Sequence, residues 1–109
     1  MTFDTVCSIG LQFPNVEETS GARGTALTVG GKMIACPAIH KSAEANSIVV
    51  RIGVEQRAEL IDADPKTYYI TDHYLPYPSV LVRLSRIHPD ALRDLLGMSL
   101  KFVSAKRRK

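Results

Sequence analysis

Two strand-like runs joined by a proline-containing segment constrain the fold of this 109-residue chain more than any other feature of its sequence. Tyr68–Thr71 is aromatic and β-branched, as strands prefer. Val80–Ser85 has apolar residues at alternate positions, which is the pattern of a strand that buries one face. Pro76 and Pro78 fix φ and remove backbone donors, so residues 72–79 are predicted to form a stiff loop.

The predicted loop carries three side chains with flat apolar bodies and polar tips, namely His73, Tyr74 and Tyr77. Such groups suit a contact surface for a partner. The alternative is that the rings pack on the edge of the sheet and hold the loop in place. The sequence leaves both interpretations open.

Three segments have the apolar spacing that is typical of helices. The first predicted helix spans Phe3–Leu11, with Thr2 as its cap and Phe13-Pro14 as its end. The second spans Val54–Ala63. The third begins at His88-Pro89-Asp90. The core-facing residues of the second helix are expected to be Val54, Ala58, Leu60 and Ile61. The buried stripe of the third helix is expected to be Leu92, Leu95, Leu96, Ser99, Leu100 and Val103.

The remaining strands are predicted from shorter signals. Thr25–Val29 and Lys32–Cys36 flank Gly30-Gly31, a two-residue link that favours a tight hairpin because positive φ is needed there. Ser47–Ile52 is a further strand. Residues 15–18 are expected to form a loop, and residues 19–24 either a poorly formed edge strand or a loop.

These elements predict an α+β fold with two layers and the order α-β3-α-β2-α. The sheet is expected to be mostly antiparallel and five-stranded, with the helices on one face. An apolar share of 45% suffices for one core. Residues 1–105 are therefore predicted to form a single domain, followed by a basic tail at residues 106–109.

The positive charge of the chain is concentrated at its end. Lys106, Arg107, Arg108 and Lys109 provide four of the 14 basic residues, so residues 1–105 carry ten bases against eleven acids. The pI of about 9.0 thus reflects the tail and not the domain. The tail could contact phosphates without sequence preference, or it could be a solvated terminus that aids solubility.

The rest of the composition predicts an intracellular protein without cofactors. Cys7 and Cys36 have no C-x-x-C partner and no histidines at ligand spacing, so two buried, reduced thiols and no metal are expected. The N-terminal residues lack the basic region of a secretory signal, and no apolar run approaches the roughly 20 residues that span a bilayer. A cytoplasmic location is therefore predicted.

Catalytic signatures are missing from the sequence. Phosphate-binding loops, the nucleophile elbow and the zinc-protease motif are not found. Asp72 and His73 are adjacent on the chain, so their side chains diverge and make a poor acid–base pair. Ser79 lacks the glycines that would present a nucleophile. We therefore expect a binding protein and not an enzyme.

The sequence resembles the MmcQ/YjbR family of small bacterial proteins over almost its whole length. The resemblance is carried by Phe3–Glu18, with its post-helix Pro14–Glu18, and by Gly31-Lys32, Val50-Arg51, Arg57–Leu60, Ala63–Pro65, Thr71, His73-Tyr74, Tyr77-Pro78 and Val80–Leu84. The resemblance implies the same α-β3-α-β2-α arrangement, which is grouped with secretion-chaperone-like folds and described as a double-wing DNA-binding motif. The chain departs from the family pattern at Pro76 and Ser79, where glycine and an aromatic residue are usual.

Two functions follow from these expectations. As a DNA-binding module, the chain would contact phosphates or stack on bases through Lys32, Arg51, His73, Tyr74, Tyr77, Arg83 and Arg86, with the tail adding charge. Alternatively, Arg51 and Arg83 pair with acids such as Glu44 or Asp72 on an ordinary exposed face. The second function is a protein-interaction module, in which the open sheet face beside Leu81 and Val49 docks a peptide or a second copy of the chain.

Overall fold

Three helices and six strands make up the part of the chain that the computed structural model describes, residues 1–21 and 24–105. In chain order they are α1 (Phe3–Gly10), β1 (Val16–Gly21), β2 (Gly24–Val29), β3 (Lys32–Pro37), β4 (Ser47–Arg51), α2 (Val54–Ala63), β5 (Tyr68–Tyr69), β6 (Ser79–Arg83) and α3 (Pro89–Ala105). The predicted basic tail, Lys106–Lys109, lies outside the described residues.

The strands form one sheet in the order β1-β2-β3-β4-β6-β5, and every neighbouring pair is antiparallel. This confirms the predicted α+β class. The tight hairpin is also found, because Gly30 and Gly31 adopt φ of 57° and 80° between β2 and β3. Thr2 is the N-cap of α1, although its side chain makes no capping hydrogen bond.

The sixth strand, β1, corrects the expectation of a loop at residues 15–18. Asn15 adopts a positive φ of 69°, which turns the chain out of the segment after α1. From Val16 to Gly21 every residue then pairs with β2. Five of its six residues are exposed, because β1 is an edge strand. An edge strand with little buried surface lacks the alternating apolar pattern from which strands are predicted.

The core lies between the helices and one face of the sheet. Val80, Val82 and Leu84 point into it from β6 and the residue that follows, as the alternation predicts. The stripe of α3 is confirmed, because Leu92, Leu95, Leu96, Ser99 and Val103 are all buried and Leu100 is partly buried. Each fully buried leucine stabilises the fold by about 1.5–3 kcal/mol relative to an exposed one.

A bulge in β3 determines which residues face away from the core. Leu27 pairs with Ala35 and Thr28 with Met33, so Ile34 is an extra residue between two paired positions. Ile34 and Ala35 are consequently both buried on the helix side. Met33 and Cys36 both lie on the opposite side of the sheet, where the candidate site is found.

The orientation predicted for α2 is wrong at two positions. Val54 and Ala58 are exposed, and Arg57 faces inward with only 9% of its surface accessible. Leu60 and Ile61, three and four residues further on, pack against the core as expected. Burial of a charged group is tolerated when its hydrogen bonds are made. The Arg57 guanidinium donates to the backbone oxygens of Tyr77 and Ser79, at 2.9 and 3.1 Å.

Candidate functional site: a groove on the loop-covered face of the sheet

The face of the sheet opposite the helices is covered by two loops and contains a groove. Residues 38–46 form the first loop, between β3 and β4, and residues 70–78 form the second loop, between β5 and β6. The groove has a volume of about 870 Å³. Met33, Cys36, Val49 and Arg51 lie on its floor, and Ile39 and Tyr77 lie among the loop residues that border it.

Stacked rings join the two loops above the sheet. The imidazoles of His40 and His73 are parallel within 5°, with centroids 3.5 Å apart. The Tyr74 ring meets both edge-on, and its hydroxyl accepts a hydrogen bond of 3.2 Å from the His40 backbone N–H. The hydroxyls of Ser42 and Thr71 lie 2.9 Å apart and add a second link. The loops therefore form one connected wall.

Ring stacking also affects the titration of the wall. The pKa of His40 lies below its ordinary value, because of desolvation first, then the neighbouring His73, then Lys41. A lowered pKa favours the neutral imidazole, which can stack on His73 without charge repulsion.

The far end of the second loop is held from below by Arg57. Its two hydrogen bonds to the backbone of Tyr77 and Ser79 are joined by one from the Ile52 N–H to the Pro78 oxygen, at 3.1 Å. Arg57 was not predicted as a site residue. The signal that could have found it is its spacing, because Arg57, Leu60 and Ile61 share one helix face at i, i+3 and i+4.

Arg83 joins the first loop to the turn that precedes β5. Its guanidinium binds both carboxylate oxygens of Glu44, at 2.8 and 2.6 Å, and donates to the backbone oxygens of Pro65 and Lys66, both at 3.1 Å. It also lies over the Tyr69 ring at 4.1 Å. The hydrogen bond from Arg83 lowers the pKa of the Glu44 carboxyl. The interpretation of Arg83 as an arginine paired with an acid is the one the geometry supports.

The predicted site residues do not converge at one place. Arg51, His73, Tyr74 and Tyr77 all border the groove. Arg51 pairs with Ser79 across the β4–β6 ladder, whereas Arg83 pairs with Ser47, four residues away. That separation is roughly 13 Å along the strand. The remaining two basic residues, Lys32 and Arg86, do not line the groove.

The two loop interpretations both hold in part. Tyr74 is partly buried in the ring cluster and so serves packing, whereas Tyr77 is 57% exposed and borders the groove. The expectation of an open sheet face at Leu81 and Val49 is corrected, because Leu81 is fully buried and Val49, which is 6% exposed, contributes to the groove floor. The first loop, residues 38–46, lies against this face of the sheet and helps to bury it. The hydrophobic pattern of the sequence does not predict that contact.

The two cysteines lie in different environments. Cys7 lies on the buried face of α1, and its pKa is raised to about 11 by desolvation first, then by Glu18 and Asp4. Cys36 is only partly buried and lines the groove, which corrects the expectation of two buried thiols. Desolvation also raises the pKa of Cys36. Both are free thiols in the structure.

Within residues 1–21 and 24–105, three or more His, Cys, Asp or Glu side chains are nowhere grouped so that they could hold a metal ion. None of the described helices combines the length and apolar character needed to cross a membrane. Comparison of the chain with protein-family models, curated proteins and solved structures found no match.

Proposed function

We propose that this chain is a non-catalytic binding module that docks an extended apolar segment of a partner protein in the groove. The observation that carries the proposal is the concave, mostly apolar floor beneath exposed apolar side chains. Ile39 is 70% exposed and Tyr77 is 57% exposed, and both border the groove. Large apolar side chains left in water around a concavity are characteristic of binding sites.

The dimensions of the groove suit a short stretch of extended chain. Its lining comes from β2, β3, β4 and β6, which are successive strands of the sheet. Three inter-strand spacings amount to roughly 14 Å, which about four residues of extended chain can span. A segment of that length presents two side chains to the floor and two to the rim.

The wall of the groove is organised before any partner binds. His40 stacks on His73, and Arg57 fixes the backbone on either side of Pro78. A rim that is already ordered loses little conformational entropy when a ligand binds. The wall is further ordered by hydrogen bonds that join Ser42 to the His40 imidazole and to the Thr71 hydroxyl.

DNA binding, which the family resemblance implies, has less support from the described geometry. A nucleic-acid interface usually presents a contiguous basic face. Here Arg83 is engaged with Glu44, and Arg51 lies roughly 13 Å from it along the ladder. The DNA interpretation therefore depends on the tail, Lys106–Lys109, and on the resemblance itself.

The two cysteines provide a direct test. The probe is a pool of hexapeptides whose last four positions are randomised among Leu, Ile, Val, Phe and Tyr. We expect the pool to slow the reaction of Cys36 with a maleimide, while Cys7, buried in the core, reacts only on unfolding in either case. A pool that leaves the Cys36 rate unchanged at millimolar concentration would overturn the proposal.

Two exposed residues of the second loop form a matched pair. Tyr77 borders the groove, whereas Leu75 is 49% exposed and lies outside its lining. Tyr77→Ala should weaken peptide binding at least several-fold and Leu75→Ala should not. Equal effects would contradict a groove site.

Two further assays test whether the groove holds a second copy of the chain and whether the chain binds DNA. Light scattering that finds a dimer, lost in Tyr77→Ala, would place a second copy of the chain in the groove. A 20-base-pair duplex that binds with a steep salt dependence, retained in Tyr77→Ala and lost when Lys106–Lys109 are deleted, would assign DNA binding to the tail.

A further inference from the structure

Two polar side chains meet at one end of the groove. Arg51 is the last residue of β4 and Ser79 the first of β6, and they are direct partners in the antiparallel ladder. Both belong to the groove lining. Side chains that are directly opposite in such a ladder have Cβ atoms about 4.5–5.5 Å apart. The guanidinium and the hydroxyl can therefore reach the same ligand atom.

The Ser79 hydroxyl lacks a partner. Ser79 is 3% exposed, and its Oγ makes no hydrogen bond within the described part of the chain. The backbone oxygen of the same residue accepts from Arg57, so the missing partner concerns the side chain alone. A buried hydroxyl without a partner destabilises the fold, and such a group calls for an explanation.

Arg51 also makes few hydrogen bonds within the described residues. Among the described lining residues it is the one Lys, Arg, Asp or Glu side chain, and its guanidinium donates a single long hydrogen bond of 3.4 Å, to the Met33 oxygen, within the described part of the chain. No acidic side chain of the described residues forms an ion pair with it, in contrast to Arg83. A guanidinium has five N–H donors, so most of them are available to a ligand. Because the hydrogen bond from Arg51 to the Met33 oxygen is long, the Arg51 side chain can shift when a ligand reaches Ser79.

We infer that Arg51 and Ser79 form a carboxylate-binding subsite, and that the segment docked in the groove ends there with its C-terminal carboxylate. This inference rests on the proposed function and names the class of segment that it takes. A guanidinium binds a carboxylate through parallel N–H donors, and a neighbouring hydroxyl can donate to the same group. The apolar lining beyond the subsite takes the side chains that precede the terminus, as backbone and pocket contacts do in known modes of peptide recognition.

The C-terminus is favoured over an acidic side chain because of where the subsite lies. Arg51 and Ser79 are at the end of their ladder, and the remainder of the described lining carries no lysine, arginine or acid. A segment whose charge is at its last residue places every other residue on apolar surface. A segment bound through an internal Asp or Glu side chain would continue past Arg51 and Ser79, beyond the end of the β4–β6 ladder.

The test compares two forms of one probe. The hexapeptide pool with apolar residues at the last four positions is labelled with fluorescein at its N-terminus and prepared as free acids and as C-terminal amides. Fluorescence anisotropy should show the wild-type protein binding the acids at least tenfold more tightly than the amides. The preference should shrink as salt is raised, because part of it is electrostatic.

Substitutions test which residues produce the preference for free acids over amides. Arg51→Gln should bind acids and amides equally, whereas Arg93→Gln, on the exposed surface of α3, should keep the wild-type preference. Ser79→Ala should reduce the preference without lowering Tm, because it removes a hydroxyl that has no partner in the free protein. A lower Tm for Ser79→Ala would contradict the unpaired hydroxyl on which the subsite depends.

The outcomes distinguish this inference from the proposed function. Binding of neither pool would overturn both. Equal binding of acids and amides by the wild-type protein would overturn the subsite and leave groove docking intact. A preference that survives Arg51→Gln would place the carboxylate elsewhere. An amide pool with one internal aspartate that binds as tightly as the acids would overturn the terminal position of the charge.

Discussion

The two faces of the same sheet are covered by different means. On the helix side, alternate residues such as Val80 and Val82 belong to one apolar cluster with side chains of α1 and α3. On the groove side, the intervening residues meet two loops that are joined by a hydrogen bond and stacked rings, and an ion pair ties the first loop to β6. Packing covers the first face completely, whereas the second keeps a concavity of about 870 Å³. The first face therefore provides stability and the second is available for binding.

The contacts on the groove side connect residues that are distant in the sequence. Glu44 meets Arg83, His40 meets His73, and the Ser47 and Tyr69 hydroxyls lie 2.6 Å apart. Each pair joins the first loop or the adjoining end of β4 to the second half of the chain. Ordering of the groove wall thus depends on long-range contacts that the sheet brings together.

The helix side should give the largest loss of stability on substitution. Leu96 is fully buried in the stripe of α3, so Leu96→Ala should lower the free energy of unfolding by about 2–5 kcal/mol. Leu75→Ala, in the exposed part of the second loop, should change it by less than about 0.5 kcal/mol. Urea unfolding measures both. An unchanged midpoint for Leu96→Ala would contradict the packing of α3 on the sheet.

Arg57 connects the two faces and should give an intermediate effect. Arg57→Met retains much of the apolar volume but leaves the backbone oxygens of Tyr77 and Ser79 without their donor, which costs about 1–3 kcal/mol. Peptide binding should weaken as well, because the second loop loses its anchor. Arg93→Met, on the exposed surface of α3, is the control and should unfold like the wild type. Wild-type binding by Arg57→Met would show that the anchor does not shape the groove.

The Glu44–Arg83 pair should give a smaller, pH-dependent effect. Because the pKa of Glu44 is lowered in the folded state, its stabilisation is fully present above the ordinary glutamate pKa of about 4.3 and is lost as pH falls through the lowered value. Glu44→Gln should therefore flatten the acid limb of Tm against pH. Identical acid limbs for the variant and the wild type would contradict a stabilising pair.

The stacked histidines should give the smallest effect on global stability. The pKa of His40 is lowered in the folded state. The stabilisation that the neutral His40 ring gives to the folded protein is therefore complete above the ordinary histidine pKa of about 6.5, and it declines as pH falls below that value. Amide protection factors, which are corrected for the pH dependence of intrinsic exchange, should fall in the two loops over that range, while those of α3 should not. In His73→Asn the His40 pKa, measured by NMR, should rise toward its ordinary value. A His40 pKa that does not move would contradict the electrostatic role of His73.

The sequence predicts the helix side well because that side depends on local patterns. The bounds of α2, the stripe of α3 and the hairpin at Gly30-Gly31 follow from periodicity and from the φ that glycine permits. The first half of β1, residues 16–18, is not predicted, and its second half is left open between an edge strand and a loop, because an exposed edge strand needs no apolar alternation. The inward turn of Arg57 was missed because its partners are backbone oxygens about 20 residues further along the chain.

The groove could be predicted only in part for the same physical reason. Tyr77 and Arg51 were expected in the site because a stiff aromatic loop and a strand-borne arginine are visible in the sequence. Ile39, His40 and Cys36 reach the groove through the bulge in β3 and the fold of the first loop. These depend on long-range contacts, which neither periodicity nor composition contains.

Mapping of backbone amide shifts in the ¹⁵N-labelled protein during titration with the free-acid hexapeptide pool tests the division between the two faces most directly. We expect shifts to concentrate at groove residues such as Val49, Arg51, Tyr77 and Ser79, with the signals of α3 nearly unmoved. Shifts that concentrate on α3, or that leave the groove residues unmoved at saturation, would contradict the assignment of binding to the loop-covered face.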